Sequence, residues 1–303
     1  MTYRKVARQS YAEIRRKPYG AKLKSSLLSS PKTSLRHQRF TANLMDMSRF
    51  LAGYLSGKKN IIISTDQRRN AGYSVKREEV RGKTYYHIKV PNWSTYSIPV
   101  KTEEEKYRIY RNGIWHESCH GRYTPDQVYS YGVSVGIKDT LGHDVINIIE
   151  DRRVEDLGVE YWEGSGPERA FVNAYAYSLR PSVGELWKDL VEGKDLNEDW
   201  VKKRRARVIH EAFLQRLLVG KIKDGTDLPT EEWLKVQEAA SHVENQLEKM
   251  KKYKGDTDKV YADLERLTKY VIEKLGLIGF EPEIREFGKN SWDQTFTEDY
   301  GRS

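Results

Sequence analysis

A single cysteine, Cys119, among 303 residues leaves no partner for an internal disulfide. It also excludes a thiolate-rich metal site, so a metal in this chain must be held by histidine and carboxylate. Long apolar runs are missing as well. Leu, Ile and Val come in short stretches, none long enough to cross a bilayer. The N-terminus lacks the uninterrupted apolar core that a secretory signal needs. These absences lead us to expect a soluble, cytoplasmic protein that does not engage a membrane. Acidic residues are scarce at one end only. Residues 1–40 hold eleven Lys and Arg against one Glu, and the remainder holds 42 basic and 43 acidic side chains. The net charge of +9 therefore belongs to an N-terminal arm and not to the body of the protein.

The chain as a whole is 38% hydrophobic and 32% charged, enough to bury a substantial core beneath a polar surface. Four regions are expected: a basic arm over 1–36, a core over 37–190, a helical region over 191–278 and an irregular tail over 279–303. The arm is rich in Arg, Lys and Ser and broken by Pro18, Gly20 and Pro31. It reads as a solvated or partner-docked extension, as a tether for nucleic acid or another acidic partner through residues 1–40, or as a targeting peptide. Apolar positions at helical spacing from Leu35 to Leu55 predict a helix ended by Gly57. Residues 60–100 read as a small antiparallel sheet, with a hairpin turning at Arg81-Gly82. Beyond residue 100 the pattern is mostly helical, including Asp199–Val219 and a helical hairpin of Thr230–Lys252 and Asp256–Leu275.

The chemistry concentrates in His116-Glu117-Ser118-Cys119-His120. On a helix, positions i and i+4 project from one face, so His116 and His120 can grip one Zn²⁺. Glu117 can then take the proton of a water that the metal activates. Thr102-Glu-Glu-Glu105 is a capping box that opens this helix, and Gly121 suits its end. Thr124-Pro125 signals a further helix start.

A catalytic zinc needs a third protein ligand. The helix predicted over Thr140–Glu155 offers Asp144, Glu150, Asp151 and Glu155. Glu150 lies beside Ile146, Ile149 and Val154, on the side expected to face the interior. An acid there is costly unless it is paired or metal-bound. Asp151 and Glu155 share a face one turn apart, suited to orienting an imidazole N–H or to pairing with Arg152 and Arg153.

The histidine pair, followed some thirty residues later by Asn147, Glu150, Asp151, Arg153, Val154 and Glu155, resembles zinc metallopeptidases of the gluzincin type. The nearer likeness is to a cobaltochelatase-like group often associated with von Willebrand A domains, although no Asp-x-Ser-x-Ser pattern of that domain follows here. The likeness covers roughly residues 102–160. It implies a zincin-like core, and with the sheet and helices read above the expected fold is α+β, a small antiparallel sheet packed on the active-site helix with a mainly helical C-terminal half. It implies zinc on His116, His120 and Glu150, Glu117 as general base, and hydrolysis of a peptide or protein substrate. Such enzymes add a His or Tyr that stabilises the oxyanion, for which Tyr175, Tyr177 and His143 are candidates. Lys89–Asn92 is the expected sheet edge for holding an extended substrate.

The rival expectation is a non-hydrolytic protein that binds nucleic acid or a partner through its basic arm, with zinc as a structural staple. A fourth ligand from Cys119 would favour it, but Cys119 points off the histidine face. His37, His87 and His242 read as ordinary satisfied histidines and His210 as helix surface or core. Lys202-Lys-Arg-Arg205 reads as a solvated helix face or, joined to the arm, as a run that tracks a phosphate backbone.

Overall fold

The computed structural model describes residues 45–49, 51–57, 60–66, 72–93, 98–129, 140–253 and 255–280. All of these belong to one compact unit beginning at Met45. The arm over 1–36, the first part of the helix expected from Leu35, and the tail beyond residue 280 lie outside the described residues. At the described positions, 45–49 and 51–56 are helical, and Gly57 follows with a positive φ of 65°.

Three strands form one sheet: β1 (Ile61–Asp66), β2 (Ser74–Val80) and β3 (Lys83–Pro91). Tyr86, Ile88 and Val90 of β3 are buried at alternate positions, and this most apolar strand takes the centre. Arg81 and Gly82, both with positive φ, turn β2 back antiparallel to β3. β1 instead runs parallel to β3, from Ile61 opposite Tyr86 to Asp66 opposite Pro91. The sheet is therefore mixed and not antiparallel as expected. The chain leaves β1 and enters β2 at the same end of β3, which places the two on opposite sides of it. That order also corrects the expected substrate edge, because Lys89–Pro91 belongs to the central strand and, among the described residues, β1 and β2 are the outer strands.

Helix α1 (Glu103–Tyr123) starts at the expected capping box, where the Thr102 hydroxyl accepts from Glu105 N and the Glu105 carboxylate accepts from Thr102 N. It continues past Gly121 and ends at Thr124. Its Tyr110 packs edge-on against Tyr73 and Trp93 and donates to the Pro91 carbonyl, which fixes α1 on the sheet. Gly113 makes this approach feasible, since a Cβ there would sit 2.6 Å from the Tyr73 ring.

A single turn, α2 (Asp126–Tyr129), precedes α3 (Thr140–Tyr161). Then come α4 (Ser165–Leu179), α5 (Val183–Leu190), α6 (Asp199–Val219), α7 (Thr230–Met250) and α8 (Thr257–Leu275). Helix α3 is the hub, packed by α1, α4, α6 and α8. Ile146, Ile148, Ile149 and Val154 on it are fully buried, and Asp144 pairs with His210 of α6 at 2.5 Å. No described helix is long and apolar enough to cross a membrane.

The α1–α3 contact depends on one small residue. A Cβ on Gly158 would lie 2.6 Å from Cys119 Sγ and 2.7 Å from the Trp115 ring. Both belong to a buried cluster with Leu55 and Val154. Gly158 is thus what lets the two helices meet closely two turns below Asp151. Gly158→Ala is expected to cost about 1–3 kcal/mol by overpacking, read as a lowered denaturation midpoint with an unchanged slope.

Candidate metal centre

The close approach of α1 and α3 brings two pairs of side chains face to face. His116 and His120 lie one turn apart on α1, with ring centroids 4.7 Å apart. Asp151 and Glu155 lie one turn apart on the facing side of α3. His116, Glu117, His120 and Glu150 are 0% exposed, and Asp151 is 1% exposed. His120 Nε2 stands 3.0 Å from Asp151 Oδ1 and 3.1 Å from His116 Nε2, and His116 Nε2 stands 3.6 Å from the same carboxylate oxygen. Among the described residues, this His116–His120–Asp151 group is the one whose donor atoms converge as a metal requires.

The surrounding hydrogen bonds decide which nitrogens carry protons. His116 Nδ1 is 2.9 Å from Glu155 Oε1 and donates to it, because a carboxylate can only accept. His120 Nδ1 is 2.9 Å from the Thr124 hydroxyl, which itself donates to Glu150 Oε1 at 2.7 Å. With its proton committed to Glu150, that hydroxyl accepts from His120. Once the proton that the two imidazoles share is displaced, both Nε2 atoms are lone pairs, directed at each other and at a carboxylate. Such a convergence of acceptors calls for a cation at its centre.

The donor set fits a metal. Ligands on a tetrahedral zinc, each about 2.0–2.1 Å from the ion, lie about 3.3 Å apart, and the observed 3.0, 3.1 and 3.6 Å bracket that value. Charge agrees. The buried carboxylates here are Glu117, Glu150, Asp151 and Glu155, against the guanidinium groups of Arg153 and Arg169. With neutral imidazoles, two negative charges are left over, which one divalent cation would neutralise.

His116 is held from behind by a carboxylate directly and His120 through the Thr124 hydroxyl, and each of those carboxylates is held in turn by an arginine. Glu155, behind His116, forms an ion pair with Arg169 of α4 at 2.8 Å, and Arg169 also reaches Asp156 at 2.6 Å. Glu150, behind His120 and Thr124, is gripped bidentately by Arg153, with Nε to Oε2 and Nη2 to Oε1 both at 2.6 Å. These partners fix the ring orientations and tautomers. Thr124→Val keeps the shape but removes the link between His120 and Glu150. It is expected to weaken zinc affinity by roughly 10-fold or more, measured by competition with a chromophoric chelator.

Burial opposes charge on His116, yet its hydrogen bonds to Asp151 and Glu155 outweigh that and hold its pKa well above the usual imidazole value. Burial lowers the His120 pKa, and the charge on His116 adds to this despite the hydrogen bond to Asp151. Two imidazoles this close share one proton, and His116, with a second carboxylate behind it, keeps it. Burial also opposes charge on Asp151, but hydrogen bonds from His116 and His120 hold it below the usual carboxylate range. A metal entering the centre must displace the His116 proton, so apparent affinity rises with pH.

The structure unites His116, His120 and Glu117 on one buried stretch of α1, as the motif predicts. The carboxylate it adds to the histidines is Asp151. Glu150, the ligand that the family likeness implies, is one residue away and occupied by Arg153 and Thr124. Thr124, expected to cap the next helix, serves the centre instead. Cys119 faces Gly158 and Trp115 in the apolar cluster, and burial pushes its thiol pKa well up. Of the expected oxyanion residues, Tyr177 carries Lys221 over its ring, and His143 lies about 12 Å up α3 from Asp151. Tyr175 sits on α4 two turns beyond Arg169. Tyr129 of α2 comes nearer the centre. Its hydroxyl pKa is pushed well up, first by burial and then by the charges of Glu150, Tyr86 and Glu117. Nothing in the Tyr129 sequence context marked it, because it follows the motif by nine residues on a separate turn. The other described histidines are satisfied: His87 bonds Ser64 and His242 stacks on Tyr270, as expected, and His210 bonds Asp144.

No protein-family model matches this chain, and no curated protein and no solved structure matches it either.

Proposed function

We propose that this protein is a zinc-dependent metallopeptidase built on the His-Glu-x-x-His motif, with the metal held by His116, His120 and Asp151 in place of the glutamate ligand of gluzincins. The observation that carries this reading is the number of protein donors. Among the described residues three converge, where a structural zinc normally has four, and a ligand position left for water is the mark of a catalytic site. Zinc in that position supplies Lewis acidity and lowers the pKa of water. Glu117, one residue from His116 and buried on the same helix, takes the proton of the attacking water on its carboxylate and passes it to the leaving amine. Glu155 and Thr124 keep the two Nδ1 protons in place, so that both Nε2 atoms remain ligands. Tyr129, with its proton held firmly by burial, donates to the developing oxyanion.

A second reading is favoured by the complete burial of His116, Glu117 and His120. In it, the ion ties α1 to α3 and performs no chemistry. Metal content and cleavage of a denatured protein substrate, measured together for the native chain and Glu117→Gln, separate the two. The peptidase reading requires cleavage by the native chain that the variant loses while keeping its metal. Undiminished activity in the variant sinks that reading. A metal-loaded native chain that cleaves nothing, and unfolds when chelated, supports the staple.

A further inference from the structure

The run Lys202-Lys203-Arg204-Arg205 near the start of α6 does two different things in the fold. Arg205 turns inward, bonding the Glu232 carboxylate at 2.6 and 2.9 Å and the Leu275 carbonyl at 3.2 Å. Lys203, Arg204 and, one turn on, Arg207 stay exposed and form no ion pair with a described residue, whereas Lys202 leans on Asp199 at 3.4 Å. These three cations do not sit on a convex surface. They line a concavity of about 320 Å³, with Gly279 and Phe280 as the other wall. Trp200 continues the same stripe toward the helix start. It is 45% exposed, with the Arg204 guanidinium 4.8 Å from its ring centroid and Glu198 accepting from its indole N–H. From Trp200 to Arg207 the stripe runs about 10 Å along α6.

Cations in a concave wall recognise anions, and a stripe of them beside one exposed indole, Trp200, and the half-buried ring of Phe280 narrows the class. Phosphodiesters supply regularly spaced single charges, and unpaired bases supply flat faces that stack on indole and guanidinium. We propose that the outward stripe of α6, formed by Trp200, Lys203, Arg204 and Arg207 with Phe280 opposite, is a binding site for single-stranded nucleic acid. The three cations contact successive phosphates, and a base stacks on Trp200. This inference is independent of the metal centre and concerns the folded body, not the basic arm.

The test uses the full chain and a labelled 20-nucleotide oligothymidine, followed by fluorescence anisotropy over a salt series. The combined Lys203→Gln, Arg204→Gln, Arg207→Gln variant is expected to bind about 10-fold or more weakly near 0.1 M salt. Its slope of log affinity against log salt should fall by about 2, from three lost phosphate contacts. Trp200→Ala is expected to weaken the oligonucleotide by about 5-fold or more and to weaken a duplex of the same length much less. A control with equal charge loss elsewhere, Lys83→Gln, Lys249→Gln, Lys252→Gln, should bind like the native chain. Equal losses in the two triple variants would overturn the proposal, as would a native chain that does not bind the oligonucleotide. A native chain that prefers vesicles of anionic phospholipid to the oligonucleotide would overturn it too.

Discussion

Asp151→Asn is expected to release the metal. The substitution keeps the size of the side chain but removes the one anionic ligand, whose oxygen lies 3.0 and 3.6 Å from the two imidazole nitrogens. The residual affinity should fall by more than the roughly 10–100-fold typical of losing a group behind a ligand. Glu150→Gln makes the informative comparison. Glu150 is bonded to Arg153 and Thr124, so its replacement leaves a nearly buried guanidinium without its anion and should cost folding stability of about 3–5 kcal/mol. Metal binding should survive, weakened only indirectly. The pair of variants thus separates the carboxylate that lies against the two histidines from the one that the family likeness implies. Equilibrium zinc titration and chemical denaturation of each variant are the measurements. Metal retained by Asp151→Asn and lost by Glu150→Gln would reverse the assignment.

Glu117→Gln is expected to leave about one zinc ion per chain and to lower the rate of peptide cleavage by about 10²–10⁴-fold. Glutamine preserves the volume at a position that is 0% exposed, so the fold around α1 should be kept. It cannot accept and hand on a proton, so the loss should appear in kcat and not in KM. A loss of metal in this variant would instead make Glu117 part of the metal's own ligand set. That result would favour the staple reading.

The helical half was readable because its signals are local. The Thr102 capping box, the boundaries of α6 and the hairpin of α7 and α8 follow from caps and periodicity within each segment. The parallel pairing of β1 with β3 was not readable, because register between strands depends on how the chain crosses the sheet and not on either strand alone. The metal centre divides in the same way. His116 and His120 are fixed by a spacing within one helix. The choice between Glu150 and Asp151 depends on the rotation of α3 against α1, which is set by Gly158 meeting Trp115 and Cys119. That contact turns Asp151 and Glu155 toward the histidines and leaves Glu150 to Arg153. The reading of Glu155 as a group that orients an imidazole N–H was accessible because it shares a face with Asp151, and the structure gives it that place behind His116. The split within Lys202–Arg205 was hidden because Arg205 finds its carboxylate on α7, 27 residues away.

The central claim is that two imidazoles and one carboxylate of this chain hold a divalent metal. X-ray absorption at the zinc edge, on the full chain loaded with one equivalent of zinc, tests it most directly. The account predicts nitrogen and oxygen scatterers at about 2.0–2.1 Å, two of them with the outer-shell pattern of imidazole, and no sulfur at about 2.3 Å. A thiolate scatterer, which only Cys119 could supply, or a spectrum of fully hydrated zinc would contradict it.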